Sequence, residues 1–143
     1  MEIKITEIIG FEKKQSRKFP LVTAKISAGF PSPADDYIDK KLDLNEYLIK
    51  HPSATFFVRV SGDSMIDAGI HSGDILIVDR AINPGSGKVV IAVIEGEFTV
   101  KRIKVKKNKI FLIPENPQFK PIQVKDHENC EIWGVVTHVI HPL

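Results

Sequence analysis

KVVIAVIEGEFTVKRIKVKKNKIFLI, residues 88–113, holds three strand-like runs separated by two turn signals. β-Branched and aromatic side chains dominate KVVIAVI (88–94), EFTVKRIKV (97–105) and KIFLI (109–113), and such residues suit a pleated, half-buried surface. Glu95 with Gly96, and Lys107 with Asn108, fall between them, a length that closes tight antiparallel hairpins. Three strands joined this way predict a meander, not a parallel sheet.

Reading outward, TFFVRV (55–60), DILIVDR (74–80) and EIWGVVTHVI (131–140) have the same character. Asp43 followed by Glu46 resembles a capping box, with Leu44, Tyr47 and Leu48 at helical spacing, so a short helix is predicted over Asp43–Lys50, stopped by Pro52. The fold class expected is mainly β: a compact antiparallel domain over 37–143, with one short helix near its start. Residues 1–36 read differently. A charged stretch (Glu12, Lys13, Lys14, Arg17, Lys18) runs into the proline-rich FPSPADD, which describes an extended N-terminal arm, loosely held. Within it VTAKISA (22–28) alternates, with Val22, Ala24, Ile26 and Ala28 on one face, as a half-buried strand would.

The 143 residues suit one core, and 43% hydrophobic with 27% charged residues is a globular composition. A formal charge of +2 gives little reason to expect direct nucleic-acid binding. Cys130 is the sole cysteine, so neither an internal disulfide nor a two-cysteine metal site is possible; no metal or cofactor is expected. The opening residues carry no signal-like apolar run and no span of bilayer length, so the expected location is the cytoplasm, with no membrane partner.

One side chain in the opening stretch is out of place. With a two-residue period, Arg102, Lys104 and Lys106 share a face that reads as solvated, whereas Lys101 falls with Thr99, Ile103 and Val105. A lysine among apolar neighbours either snorkels to water or loses hydration, and the second outcome depresses its pKa until neutral amine is available to accept a proton. SGDSMIDAGIHSGD (61–74) supplies a possible partner. Ser64 would stand at a strand-to-turn junction where unpaired backbone N–H groups can hold an oxyanion. Serine and aspartate are also ordinary turn residues, so the loop alone leaves the point open. An exposed serine beside a buried lysine forms a nucleophile with its general base, a variant of triad logic that needs no histidine. His71, His127, His138 and His141 show no spacing that favours any of them as that base, and His51 reads as a helix C-terminal residue.

SGDSMIDAGIHSGDILIVDRA (61–81), GEFTVKRI (96–103), IPENPQFKPI (113–122) and WGVVTHVIHPL (133–143) together resemble the self-cleaving peptidase family that includes LexA and UmuD. AGFPSPADDYIDKKLDLNEYLIKHPSATFFVRVSGDSM (28–65) extends the resemblance toward the UmuD branch, so that it covers nearly everything from Phe19 onward. The resemblance implies Ser64 as nucleophile, Lys101 as base, Ala28–Gly29 as the bond cut, and a mechanism without cofactor. The backbone N–H groups of Asp63 and Ser64 are the expected oxyanion hole. It further implies a homodimer, cleavage stimulated by a RecA filament on single-stranded DNA, and a trimmed form that joins a UmuC-type lesion-bypass polymerase, with replicative polymerase subunits as further partners, in the SOS response. Two alternatives stand beside it: a signal-peptidase-like serine-lysine enzyme, and a non-catalytic β-rich binding module of a DNA-repair complex.

Overall fold

A computed structural model describes residues 1–13, 16–22, 38–126 and 128–143. The bond Ala28–Gly29, most of VTAKISA, and His127 lie outside these residues. The chain divides into two units, Met1–Phe11 with Ser53–Leu143, and Glu12–Pro52.

The larger unit is one antiparallel sheet of eight strands: β1 (Lys4–Gly10), β4 (Thr55–Ser61), β5 (Ile75–Asp79), β6 (Val89–Ile94), β7 (Glu97–Lys106), β8 (Lys109–Ile113), β9 (Ile122–Val124) and β10 (Cys130–Ile140). Their order across the sheet is β1-β4-β5-β10-β6-β7-β8-β9. The meander of the opening stretch is β6-β7-β8, with Glu97 opposite Ile94 and Lys106 opposite Lys109. Glu95 and Gly96 take φ of 48° and 81°, and Lys107 and Asn108 take 50° and 61°. Two consecutive left-handed residues give the turn a twist that matches its flanking strands.

The smaller unit pairs β2 (Phe19–Val22) with β3 (Ile38–Leu42) and carries α1 (Leu44–Leu48). Asp43 caps that helix, its carboxylate accepting the N–H of Asn45 at 3.0 Å and of Glu46 at 3.4 Å. Ser16 donates a further hydrogen bond to Asp43 and, ahead of the other causes, holds its carboxyl below the usual range.

The first eleven residues, expected to begin a loose arm, instead belong to the β unit. Lys4 lies opposite Ser61 and Gly10 opposite Phe56, with a register irregularity between Ile5 and Glu7. Phe11 packs edge-on against Phe57, and Arg59 reaches Glu7 at 3.3 Å. Most of β1 is exposed, so its own pattern gives no burial signal; what secures it is the backbone ladder along the β4 edge.

Alternate residues of β6 enter two apolar clusters, Ile91 in one and Val90 with Ala92 in the other. Both faces of the central sheet are therefore covered. Gly134 on β10 is required by this packing, because a Cβ there would sit 2.6 Å from Cγ1 of Val78. Gly134→Ala is expected to cost about 1–3 kcal/mol by overpacking, read as a lower urea midpoint with an unchanged slope.

Candidate active site

β4 ends at Ser61, and the chain turns through Gly62, Asp63, Ser64 and Met65 into a 3-10 turn, Ile66–Ala68. Ser64 thus stands at the strand-to-turn junction predicted for it. Met65 is fully buried in the larger unit's core and anchors the turn beneath the hydroxyl. The PEN segment braces it from outside: Asn116 Nδ2 donates to the Asp63 carbonyl at 2.9 Å, and Asp67 N–H donates to the Glu115 carbonyl at 2.8 Å. This bracing role has no local signature in the sequence.

Lys101 is 1% exposed, which excludes snorkelling. Its neighbour Val100 is buried as well, so simple alternation fails here: both faces of β7 are covered. β7 and β1 are well separated in the sheet order, yet the sheet curls until Lys101 meets Ser64 and residues 1–3. Lys101 Nζ lies 3.5 Å from Ser64 Oγ, 2.8 Å from Thr99 Oγ1 and 3.1 Å from the Val100 carbonyl. Thr99 is two residues away on the same strand face, so the parity that singled out Lys101 also placed this partner.

Three residues that sequence reading missed complete the site. The Glu2 carboxylate pairs with Lys101, and Ile3 N–H donates to Ser64 Oγ at 3.0 Å. The Met1 carbonyl accepts the Asp63 N–H at 2.9 Å, occupying one of the donors expected to form the oxyanion hole. The Met1 amino group lies 2.6 Å from Asp63 Oδ1 and is the main cause that lowers the Asp63 pKa. This approach needs a glycine: at Gly62, φ is 102° and a Cβ would fall 2.3 Å from the Glu2 carbonyl oxygen. Residues 1–3 therefore lie across the nucleophile as a bound peptide would. Under them Ser64 is fully buried, not exposed as expected.

The electrostatics follow from this packing. Burial pushes the Lys101 pKa below its ordinary value, and the hydrogen bond and charge of Glu2 offset part of that effect. For Glu2, burial works toward a higher pKa, but hydrogen bonds with Lys101 and Ser64 and the charge of Lys101 outweigh it, leaving the carboxyl below its usual range. While Glu2 is in place, the amine is held toward its charged, donating form. A proton acceptor needs the opposite state.

Residues 20–137 match the model of the Peptidase S24-like family. The chain belongs to that family. It is a self-cleaving serine peptidase of the LexA and UmuD type, and the relatives that it matches over most of their length fall on the UmuD side. It is 46% identical over 146 aligned positions to protein MucA of Salmonella typhimurium, covering 100% of this chain and 98% of that one. Protein SamA of Salmonella typhimurium strain LT2 is 52% identical over 122 residues, 85% of this chain and 84% of its own. A LexA repressor from Photorhabdus laumondii is 46% identical over 122 residues but is matched over only 60% of its length.

Proposed function

We propose that this chain cuts its own Ala28–Gly29 bond with Ser64 as nucleophile and Lys101 as general base. The observation that carries the reading is a water-stripped amine 3.5 Å from a hydroxyl on a turn braced for its position. Neutral Lys101 takes the Ser64 proton as Oγ attacks the Ala28 carbonyl, and the backbone N–H groups of Asp63 and Ser64 receive the oxyanion. The C–N bond then breaks, Lys101 returns its proton to the Gly29 amine, and water releases the acyl group from Ser64.

Residues 1–3 hold the resting state. They cover Ser64, take the Asp63 N–H, and set the Glu2 charge against Lys101. The Ala28–Gly29 bond reaches Ser64 only when they withdraw, so cleavage is controlled by which part of the chain fills the cleft rather than by supply of substrate. Activation by a RecA filament on single-stranded DNA, homodimerisation, and handover of the trimmed dimer to a UmuC-type polymerase in the cytoplasm are the family's implications for this chain. The similarity to MucA and SamA supports them. A signal-peptidase-like enzyme is the weaker reading, because residues 20–137 match the Peptidase S24-like family.

Intact-mass spectrometry with and without an activated RecA filament tests the proposal. The expected products are residues 1–28 and 29–143, formed faster with the filament and absent from Ser64→Ala. A cut elsewhere, or one that persists in Ser64→Ala, would overturn it. Self-cutting without the filament is expected to rise with pH as Lys101 loses its proton, starting below the range of an ordinary lysine because burial lowers its pKa.

A further inference from the structure

The loop that carries Ser64 ends in a second cluster, which the peptidase chemistry does not use. Asp74 precedes β5 and is 1% exposed. His71 lies three residues before it, and His141 follows the last residue of β10. His141 Nδ1 is 2.6 Å from Asp74 Oδ1, His71 Nδ1 is 3.7 Å from Asp74 Oδ2, and one ligand atom from each residue lies within 4.8 Å of the others. The two imidazoles face each other at 4.4 Å between centroids.

Hydrogen bonding accounts for only part of this arrangement. Asp74 Oδ2 accepts the His71 backbone N–H at 2.8 Å, which explains the carboxylate as a loop anchor. It does not explain His71 Nδ1, which is shut off from solvent and has no hydrogen-bond partner among the described residues. The 3.7 Å separation from Oδ2 is too long for a hydrogen bond. A buried polar atom with nothing to bond is a place to look for an absent ligand.

We propose that His71, Asp74 and His141 bind a divalent first-row transition-metal ion of the zinc class. Two imidazole nitrogens and one carboxylate suit such an ion better than magnesium or calcium, which take oxygen ligands. With bonds of about 2.0–2.2 Å in a tetrahedral arrangement, ligand atoms stand about 3.3 Å apart. The gaps of 3.7 Å to Oδ2 and 2.6 Å to Oδ1 lie on either side of that spacing, and one ligand atom from each residue lies within 4.8 Å of the others, so modest side-chain adjustments would seat the ion. Both Nδ1 atoms would bind deprotonated, and a water or an outside ligand would take the fourth position. The ion would tie the far end of the nucleophile loop to the residue after β10, two segments that the sequence separates by 67 positions.

The test uses untagged full-length Ser64→Ala, which stays uncut, stripped with a chelator and titrated with Zn²⁺ alone and with Co²⁺ alone. The expected result is one ion per chain, a tetrahedral Co²⁺ absorption band that Zn²⁺ displaces, and a rise in unfolding temperature on binding. Adding His71→Ala or His141→Ala is expected to weaken binding by about 100-fold or more, whereas His138→Ala, on β10 and outside the cluster, leaves it unchanged. Both substituted side chains are more than one-third exposed, 44% and 41%, and circular dichroism of each variant checks that the fold survives. The absence of stoichiometric binding by the stripped protein, or equally tight binding by the His71 and His141 variants, would overturn the proposal.

Discussion

Lys101→Ala is expected to slow self-cleavage at neutral pH by about 1,000-fold or more, because it removes the amine placed to take the Ser64 proton. Alanine also leaves a cavity where a fully buried stem was packed. Lys101→Met separates the two effects, since it keeps most of the volume and removes only the amine. Both variants are expected to remain folded, because each takes a cation out of a buried position and leaves Glu2, which is 44% exposed, free to rehydrate. Intact-mass time courses and far-UV circular dichroism, run together, check this. Cleavage by Lys101→Met at the wild-type rate would remove the lysine from the mechanism.

Glu2→Gln should act in the opposite direction. The charge of Glu2 raises the Lys101 pKa against the lowering effect of burial, so removing that charge lets the amine lose its proton at a lower pH. At neutral pH the reactive neutral fraction grows, and self-cutting should be about tenfold faster, with the whole pH profile displaced toward acid. At high pH, where Lys101 is already neutral in both proteins, that advantage disappears. Deleting residues 1–3 adds a second effect, because it also frees Ser64 Oγ and the Asp63 N–H. Its rate should therefore exceed wild type at every pH, including the alkaline limit. Measuring both variants from neutral to alkaline pH distinguishes electrostatic restraint from simple coverage. A deletion that leaves the rate unchanged throughout would mean that residues 1–3 do not guard the site.

Local features were legible in the chain. The two hairpin turns were readable because two residues separate each pair of strand runs, and Gly96 and Asn108 tolerate the left-handed backbone that such a turn requires. The Asp43 cap was readable because a cap is made with N–H groups two and three residues away. Lys101 stood out because strand parity is strict, and a cation on the apolar parity has few physical explanations. Strand β9, three residues long, lacked the length for a periodic signal.

Strand β1 and the occupied cleft were not legible, for a different reason. β1 is mostly exposed and held by backbone bonds, which do not depend on side-chain type. Glu2 and Lys101 are 99 residues apart, as are no two partners of a local motif, and His141 meets Asp74 across 67.

Sequence by itself determined the antiparallel meander, the helix cap, the odd lysine and the turn that presents Ser64, because each rests on contacts between near neighbours or on the period of a strand. Only the tertiary structure decided that residues 1–3 lie over the nucleophile, that Ser64 is buried, and that two histidines converge on Asp74. Those outcomes depend on how far the sheet curls and on which segment takes its open edge, and long-range closure of this kind leaves no periodic mark in the chain.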